Sequence, residues 1–126
     1  EPTGAGNTPL HFASLEKDEE TVERIIELGA NLHHTNNHGQ TALHWACMKR
    51  KTHIAELLIA KRCDINTTDN EGNTPLHWSS ENNDPEVVSL LIQAGANVNI
   101  RNNYNHTPLR VAQIHESTDC IPLLQN

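Results

Sequence analysis

The sequence predicts an all-α fold: a solenoid of stacked helix-turn-helix units joined by β-hairpin-like fingers. A motif close to Gly-Asn-Thr-Pro-Leu-His begins at Gly6 and returns every 33 residues, at Gly39, Gly72 and, with asparagine first, at Asn105. A second motif keeps the same period, at residues 28–32, 61–65 and 94–98. Aromatic residues make up only 3% of the chain, which is enough where each unit packs only on its neighbours.

The period and both motifs resemble those of the ankyrin-repeat family. The resemblance covers nearly the whole chain and implies one ankyrin-repeat domain over residues 6–126, with repeats of about 6–35, 36–68, 69–101 and 102–126. Residues 1–5 show no periodicity and are interpreted as a linker or an expression remnant. The family implies a noncatalytic scaffold that binds another protein and needs no cofactor.

The first helix of each unit is predicted to begin after a threonine that can accept a hydrogen bond from a free backbone amide. Proline follows three of these threonines, at the first helical position, where a missing N–H costs nothing. A large and then a small residue, three positions apart, form the inward face. The threonines are Thr8, Thr41, Thr74 and Thr107; the inward pairs are Leu10 and Ala13, Leu43 and Ala46, Leu76 and Ser79, and Leu109 and Ala112.

The second helix is marked by apolar residues at i, i+3 and i+4. Its predicted caps are Asp18, Asp84 and, more weakly, Ser117. Gly29 and Gly95 are placed to end it in the left-handed conformation. Arg62 stands in that place in the second unit, which predicts a strained or differently closed turn there. The apolar sets are Val22, Ile25 and Ile26; Ala55, Leu58 and Ile59; and Val88, Leu91 and Ile92.

The fourth unit departs from the pattern. Pro122 falls about five residues into its expected second helix, where proline removes a hydrogen bond and clashes with the preceding turn. We therefore predict that this helix starts late, is short, or frays.

Charge and cysteine content limit the partners. A net charge of −7 disfavours nucleic acid and anionic membranes. No apolar run approaches the roughly 20 residues of a membrane span. Cys47, Cys63 and Cys120 are an odd number without a Cys-x-x-Cys pair, which suits a reducing compartment. We expect a monomeric, intracellular protein, cytoplasmic or nuclear.

Nine histidines raise the question of metal binding or catalysis. By resemblance, the motif histidines His11, His44 and His77 form local hydrogen bonds. Stacked helices lie roughly 8 to 10 Å apart, whereas zinc ligands lie about 2 Å from the ion, so these three cannot share one metal. A second group, His33, His34 and His38, lies in one finger and lacks a carboxylate or cysteine to complete a metal site. No catalytic motif is present, and we expect neither an enzyme nor a metal protein.

The concave surface made by the finger tips and first helices is the predicted binding face. An aromatic column recurs along it at Phe12, Trp45 and Trp78, either as interface anchors or as cover for the seam between units. The remaining predicted contacts are Asn37, His38, Gln40, Met48, Lys49, Asn70, Glu71, Asn73, Glu81, Asn82, Asn103, Tyr104, His106, Ile114 and His115.

Three alternatives stay open. The stack can be a regulatory segment of a larger enzyme, channel or transcription regulator that packs against its own chain. The basic residues at 49–51 and 61–62 can form a small docking patch for an acidic partner. Asn66 and Asn99 occupy the place where, in several ankyrin proteins, an asparaginyl hydroxylase acts, so the resemblance implies possible hydroxylation there.

Overall fold

The structure is a computed structural model that describes residues 19–29 and 31–125. Within these residues the secondary structure consists of helices, with no strand assigned. None of these helices is long and apolar enough to cross a membrane. The helices are α1 (Glu19–Glu27), α2 (Ala42–Met48), α3 (Thr52–Ala60), α4 (Pro75–Glu81), α5 (Pro85–Gln93), α6 (Pro108–Ile114) and α7 (Ile121–Leu124).

The helices form two layers. Helices α2, α4 and α6 stack on one another as the first helices of the second, third and fourth units, and α1, α3, α5 and α7 stack as the second helices. Each first helix also packs on the second helix of its own unit. The predicted all-α solenoid is therefore confirmed, and the core runs along the seam between the layers.

The core contains the inward faces that the periodicity predicts. Leu43 and Leu76 of the first helices are buried, as are Leu58 and Leu91 of the second helices. Small residues at Ala46, Ser79 and Ala112 are also fully buried, which lets neighbouring helices approach closely. The i+4 members of the second-helix sets, Ile26, Ile59 and Ile92, are only partly buried against this core. The predicted positions in residues 1–18 lie outside the described part of the chain.

The first-helix caps follow the sequence prediction in the second, third and fourth units, and the second-helix cap does so in the third unit. The Thr41, Thr74 and Thr107 side chains accept from the backbone amides three residues on, and Asp84 accepts from the Val87 amide. The first helices of these units are seven residues long. A side-chain cap of this kind satisfies an amide that has no partner within the helix.

The fingers are residues 31–40, 64–73 and 97–106. Each closes like a hairpin: the amide of Asn36, Asp69 or Asn102 donates to the carbonyl four residues on, at 2.9–3.0 Å. Gly39, Gly72 and Asn105 have positive φ in these fingers. The fingers thus have the predicted shape, although the described residues form no strand.

The fourth unit ends as predicted, with a second helix of four residues in place of nine. Because α7 begins only at Ile121, Pro122 falls in its first turn and breaks no helical hydrogen bond. The prediction of Ser117 as a side-chain cap was wrong: Cys120 occupies the cap position without a side-chain hydrogen bond, and the Ser117 hydroxyl donates to the Glu81 carbonyl at 3.4 Å. The proline moved the helix start beyond Ser117.

Candidate functional site

A groove lies between the third and fourth units, bounded by their fingers and first helices. Its volume is about 340 Å³. One wall comes from the fingers and the other from helices α4 and α6 with the residue after α6. The residues that line this groove are Glu71, Asn73, Asn102, Tyr104 and His106 on the finger wall, and Trp78, Glu81, Val111, Ile114 and His115 on the helix wall.

The apolar part of the groove consists of two exposed and two more buried side chains. Tyr104 is 63% exposed and Ile114 is 45% exposed, while Val111 is buried and Trp78 is half-buried. The Trp78 indole N–H donates to Asp69 Oδ2 at 3.1 Å, which holds the ring in place. Large apolar side chains kept in contact with water beside a fixed aromatic ring are typical of a binding surface.

Ionisable groups lie on both walls. Glu81 Oε1 and His115 Nε2 are 3.7 Å apart, and their side chains are 40% and 46% exposed. They form an ion pair only when His115 is protonated, because a neutral imidazole carries no charge. On the opposite wall the Tyr104 and His106 rings stack with centroids 6.4 Å apart. Glu71 lies on the finger wall as well. The groove therefore combines an apolar surface with two carboxylates.

Two finger residues orient the finger wall. Asp69 Oδ1 accepts from the amides of Glu71 and Asn73, and Asn102 Oδ1 accepts from those of Tyr104 and His106. The four bonds measure 2.9–3.0 Å. Because an acidic or amide side chain that binds its own finger in this way fixes the turn, the groove residues project from a rigid support.

The fingers are also joined across the units. Asn102 Nδ2 donates to Asn73 Oδ1 at 2.9 Å, and the Asn103 amide donates to the Glu71 carbonyl at 2.8 Å. The His77 imidazole reaches the His106 carbonyl at 2.9 Å. These contacts fix the distance between the two fingers that form the groove wall.

The groove brings together much of the predicted contact set from the third and fourth units. It holds Glu71, Asn73, Trp78, Glu81, Tyr104 and His106, with Ile114 and His115 beside them. Val111 was not predicted, although it follows Trp78 by one period and continues the column of Trp45 and Trp78. The 33-residue period could have identified Val111. It was missed because the prediction followed aromatic residues, and these end in the third unit.

A second part of the predicted set links neighbouring units. Asn82 Nδ2 donates to the carbonyls of Cys47 and Met48, at 2.8 and 3.0 Å. Asn70 Nδ2 donates to the Asn37 carbonyl at 3.0 Å, and Asn103 Nδ2 repeats this bond on the Asn70 carbonyl at 2.9 Å. Such side chains stabilise the stack, which leaves them less free to contact a partner.

The predicted contacts of the second unit lie away from this groove. The Trp45 indole N–H donates to Gln40 Oε1 at 2.7 Å, and the ring is half-buried. Met48 is half-buried, and His38 and Lys49 are exposed. Phe12 lies outside the described residues. A role for these residues in partner binding stays a prediction.

The motif histidines form the predicted local bonds and a further one. In His44 and His77, Nδ1 accepts from the amide of the capping threonine, at 3.1 and 3.0 Å. Since a backbone amide can only donate, Nε2 carries the ring proton and donates to the carbonyl of Asn73 or His106 in the next finger. This second bond, between units, was not predicted.

The cysteines and the remaining histidines give no sign of a reactive or metal-binding site. The Cys47, Cys63 and Cys120 thiols are free and buried, and burial raises the pKa of all three, to about 11 for Cys63 and Cys120. Thiols of this kind are poor nucleophiles. Within residues 19–29 and 31–125, no group of three or more His, Cys, Asp or Glu is arranged to hold a metal ion.

One of the two candidate hydroxylation sites, Asn66, contacts the next finger. Asn66 Oδ1 accepts from the Asn97 amide at 2.8 Å, and His33 Nε2 accepts from the Asp64 amide at 3.1 Å one period earlier. Both Asn66 and Asn99 are exposed. Hydroxylation stays a prediction; an intact mass from native cells with no added oxygen on the peptides that contain Asn66 or Asn99 would rule it out.

A two-layer helical stack with a rigid finger row and a groove between its units defines a repeat scaffold. A family model described as ankyrin repeats in three copies matches residues 2–69 and 51–126, so the chain belongs to the ankyrin-repeat family. The family model has three copies, whereas the 33-residue period in this chain predicts four units. No curated protein matches the chain at a significant level. Ankyrin repeats are generally protein–protein interaction modules and typically noncatalytic.

Proposed function

We propose that this chain is a noncatalytic module that binds a segment of a partner protein in the groove between its third and fourth units. The observation that carries the proposal is the exposure of Tyr104 and Ile114 beside the fixed ring of Trp78. A volume of about 340 Å³ is near the lower end of the roughly 300–1,000 Å³ range of binding pockets. It suits one or two side chains of an extended segment.

Rigidity supports this function. The finger wall is held by hydrogen bonds within each finger and between fingers, so little order has to be gained on binding. Preorganised surfaces of this kind bind with a smaller entropic cost. The alternative occupant, another part of the same longer protein, would use the same surface.

The setting we propose is intracellular. Its support is the burial of Cys47, Cys63 and Cys120 as free thiols, which is usual for proteins kept in a reducing compartment.

The test is affinity capture from lysate of the source cells, with the wild-type chain beside a Tyr104→Ser, Ile114→Ser double variant. Both side chains are exposed, so the fold should survive, and circular dichroism checks this. The matched control is Leu28→Ser, because Leu28 is 75% exposed and does not line the groove.

Retention of a protein by wild type and by the Leu28 control, with loss from the folded groove variant, is the expected result. Mass spectrometry then identifies the retained protein as a separate partner or as another part of the same protein. Equal retention by all three chains would show that the groove is not the binding surface.

A further inference from the structure

The groove has carboxylates on both of its walls. Glu71 lies on the finger wall and Glu81 on the helix wall, and none of the ten lining residues is a lysine or arginine. The near counter-charge is His115, which is charged only when protonated. The chain as a whole carries a net charge of −7, so its long-range field has the same sign as the groove.

The surface between these carboxylates is apolar. Trp78, Val111 and Ile114 line the helix wall, and Tyr104 stands opposite on the finger wall. A carboxylate pair across an aromatic and aliphatic surface complements a side chain with an apolar stem and a cationic head. Arginine and lysine are such side chains: their stems cover apolar surface, arginine also stacks on aromatic rings, and its head pairs with carboxylates.

We propose that the groove binds a basic segment of a partner protein, with an arginine or lysine head between Glu71 and Glu81 and its stem on Trp78 and Ile114. This inference rests on the proposed function and specifies the partner's chemistry. An apolar residue next to the basic one would occupy the space beside Tyr104. Charge complementarity decides for this occupant over an acidic or purely apolar segment, because either would leave Glu71 without a cation and Glu81 with only His115, which is charged only when protonated.

The experiment is selection of a phage-displayed random 12-residue peptide library on three immobilised chains. They are the wild type, a Glu71→Gln, Glu81→Gln variant, and a Glu56→Gln, Glu86→Gln control. The control removes the same net charge from two exposed glutamates of the second helices, outside the groove. Circular dichroism verifies that all three chains are folded.

The expected result is that wild type and control enrich peptides with arginine or lysine beside an apolar residue, and that the Glu71, Glu81 variant does not. A synthetic copy of the most enriched peptide should bind that variant about twofold to tenfold more weakly than wild type, since two exposed charge pairs together have effects of about this size. Replacing the basic residue of the peptide with glutamine should produce a similar loss on wild type. The same replacement should cause little further loss on the variant.

Two results would overturn the inference and leave the proposed function standing. In the first, enriched peptides lack a basic residue but are lost on the Tyr104→Ser, Ile114→Ser chain. In the second, basic peptides are enriched equally on the Glu71, Glu81 variant while still depending on Tyr104 and Ile114. If wild type enriches no peptide, or only peptides that bind independently of the groove, the inference and the proposed function fail together.

Discussion

Two adjacent serines in helix α4 are both fully buried but differ in their hydrogen bonding. The Ser79 hydroxyl donates to the Pro75 carbonyl at 3.1 Å. The Ser80 hydroxyl has no hydrogen-bond partner, and it is the one buried side-chain polar atom of the described residues for which this holds. One period earlier the position belongs to Cys47, a buried side chain that behaves as a small hydrophobe. Ser80 therefore carries an uncompensated desolvation cost.

We predict that Ser80→Ala stabilises the protein by about 1 kcal/mol more than Ser79→Ala does. Both changes add the same helix propensity of a few tenths of a kcal/mol, so their difference compares removal of an unpaired hydroxyl with removal of a hydrogen-bonded one. Urea unfolding of the two variants measures it. Equal effects would mean that the Ser80 hydroxyl has a partner in solution.

At the scale of elements, three turns that end second helices have one geometry and different residues. Gly29, Arg62 and Gly95 have φ of +96°, +63° and +98°, and each amide donates to the carbonyl three residues earlier at 3.0 Å. The turn at Arg62 is thus closed in the same way as the glycine turns. Of the two predicted outcomes at Arg62, a strained turn and a differently closed turn, the structure shows the strained turn. A non-glycine residue in the left-handed region costs roughly 1 kcal/mol.

We predict that Arg62→Gly stabilises the protein by about 0.5–1 kcal/mol, because glycine adopts this conformation without steric cost but loses more entropy on folding. The reciprocal control is Gly95→Arg. A Cβ at Gly95 would meet no atom within 4 Å, so that variant should lose about 1 kcal/mol through backbone strain alone. Thermal and urea unfolding test both; destabilisation by Arg62→Gly would show that the arginine side chain contributes a contact of its own.

At the scale of the whole molecule, the motif histidines join the units. Each bridges its own helix start and the next finger through both ring nitrogens. Protonation of Nδ1 would set an N–H against the threonine amide and break the cap. Burial lowers the pKa of His77, although the bond to the His106 carbonyl and the Asp69 carboxylate act in the opposite direction.

We therefore predict that the free energy of unfolding falls as the pH drops from 7.5 to 5.5. The unfolded chain takes up a proton on His77 near its ordinary pKa of about 6.5, whereas the folded chain resists, so the unfolded state is favoured below that pH. The contribution of His77 to the free energy of unfolding is complete above about pH 6.5. It is lost as the pH falls from there to the lowered pKa of His77 in the folded chain.

Urea unfolding at both pH values measures this dependence in three chains. His77→Gln should reduce it more than His53→Gln does, where His53 serves as a control histidine whose side chain is 75% exposed. An undiminished pH dependence in His77→Gln would assign the effect to other groups.

Most of the fold could be predicted from the sequence because helix starts and ends depend on residues that are close together in the chain. Thr74 and Pro75 mark a helix start within two residues, and Asp84 does so for α5. The effect of Pro122 on the last helix was also predictable, since proline acts on its own turn. Ser117 was assigned wrongly because the sequence could not show how far the helix start would move.

The candidate site was only partly predictable because its members lie about one period apart. The same pattern placed Glu81 and Asn82 on one predicted surface, but Glu81 lines the groove while Asn82 bonds to carbonyls 34 and 35 residues earlier. Val111 was missed because the column changes from aromatic to aliphatic there. Which polar side chain faces a partner and which faces the next unit depends on the stacking distance.

The sequence by itself determined the repeat period, the helix faces, most of the caps and the positive-φ positions, since each depends on interactions within a few residues. Only the tertiary structure decided which residues form the groove, how His44 and His77 reach the next finger, and that Asn70 and Asn82 link units. The physical reason is that these contacts join residues about 30 positions apart. Their geometry exists only once the units have stacked.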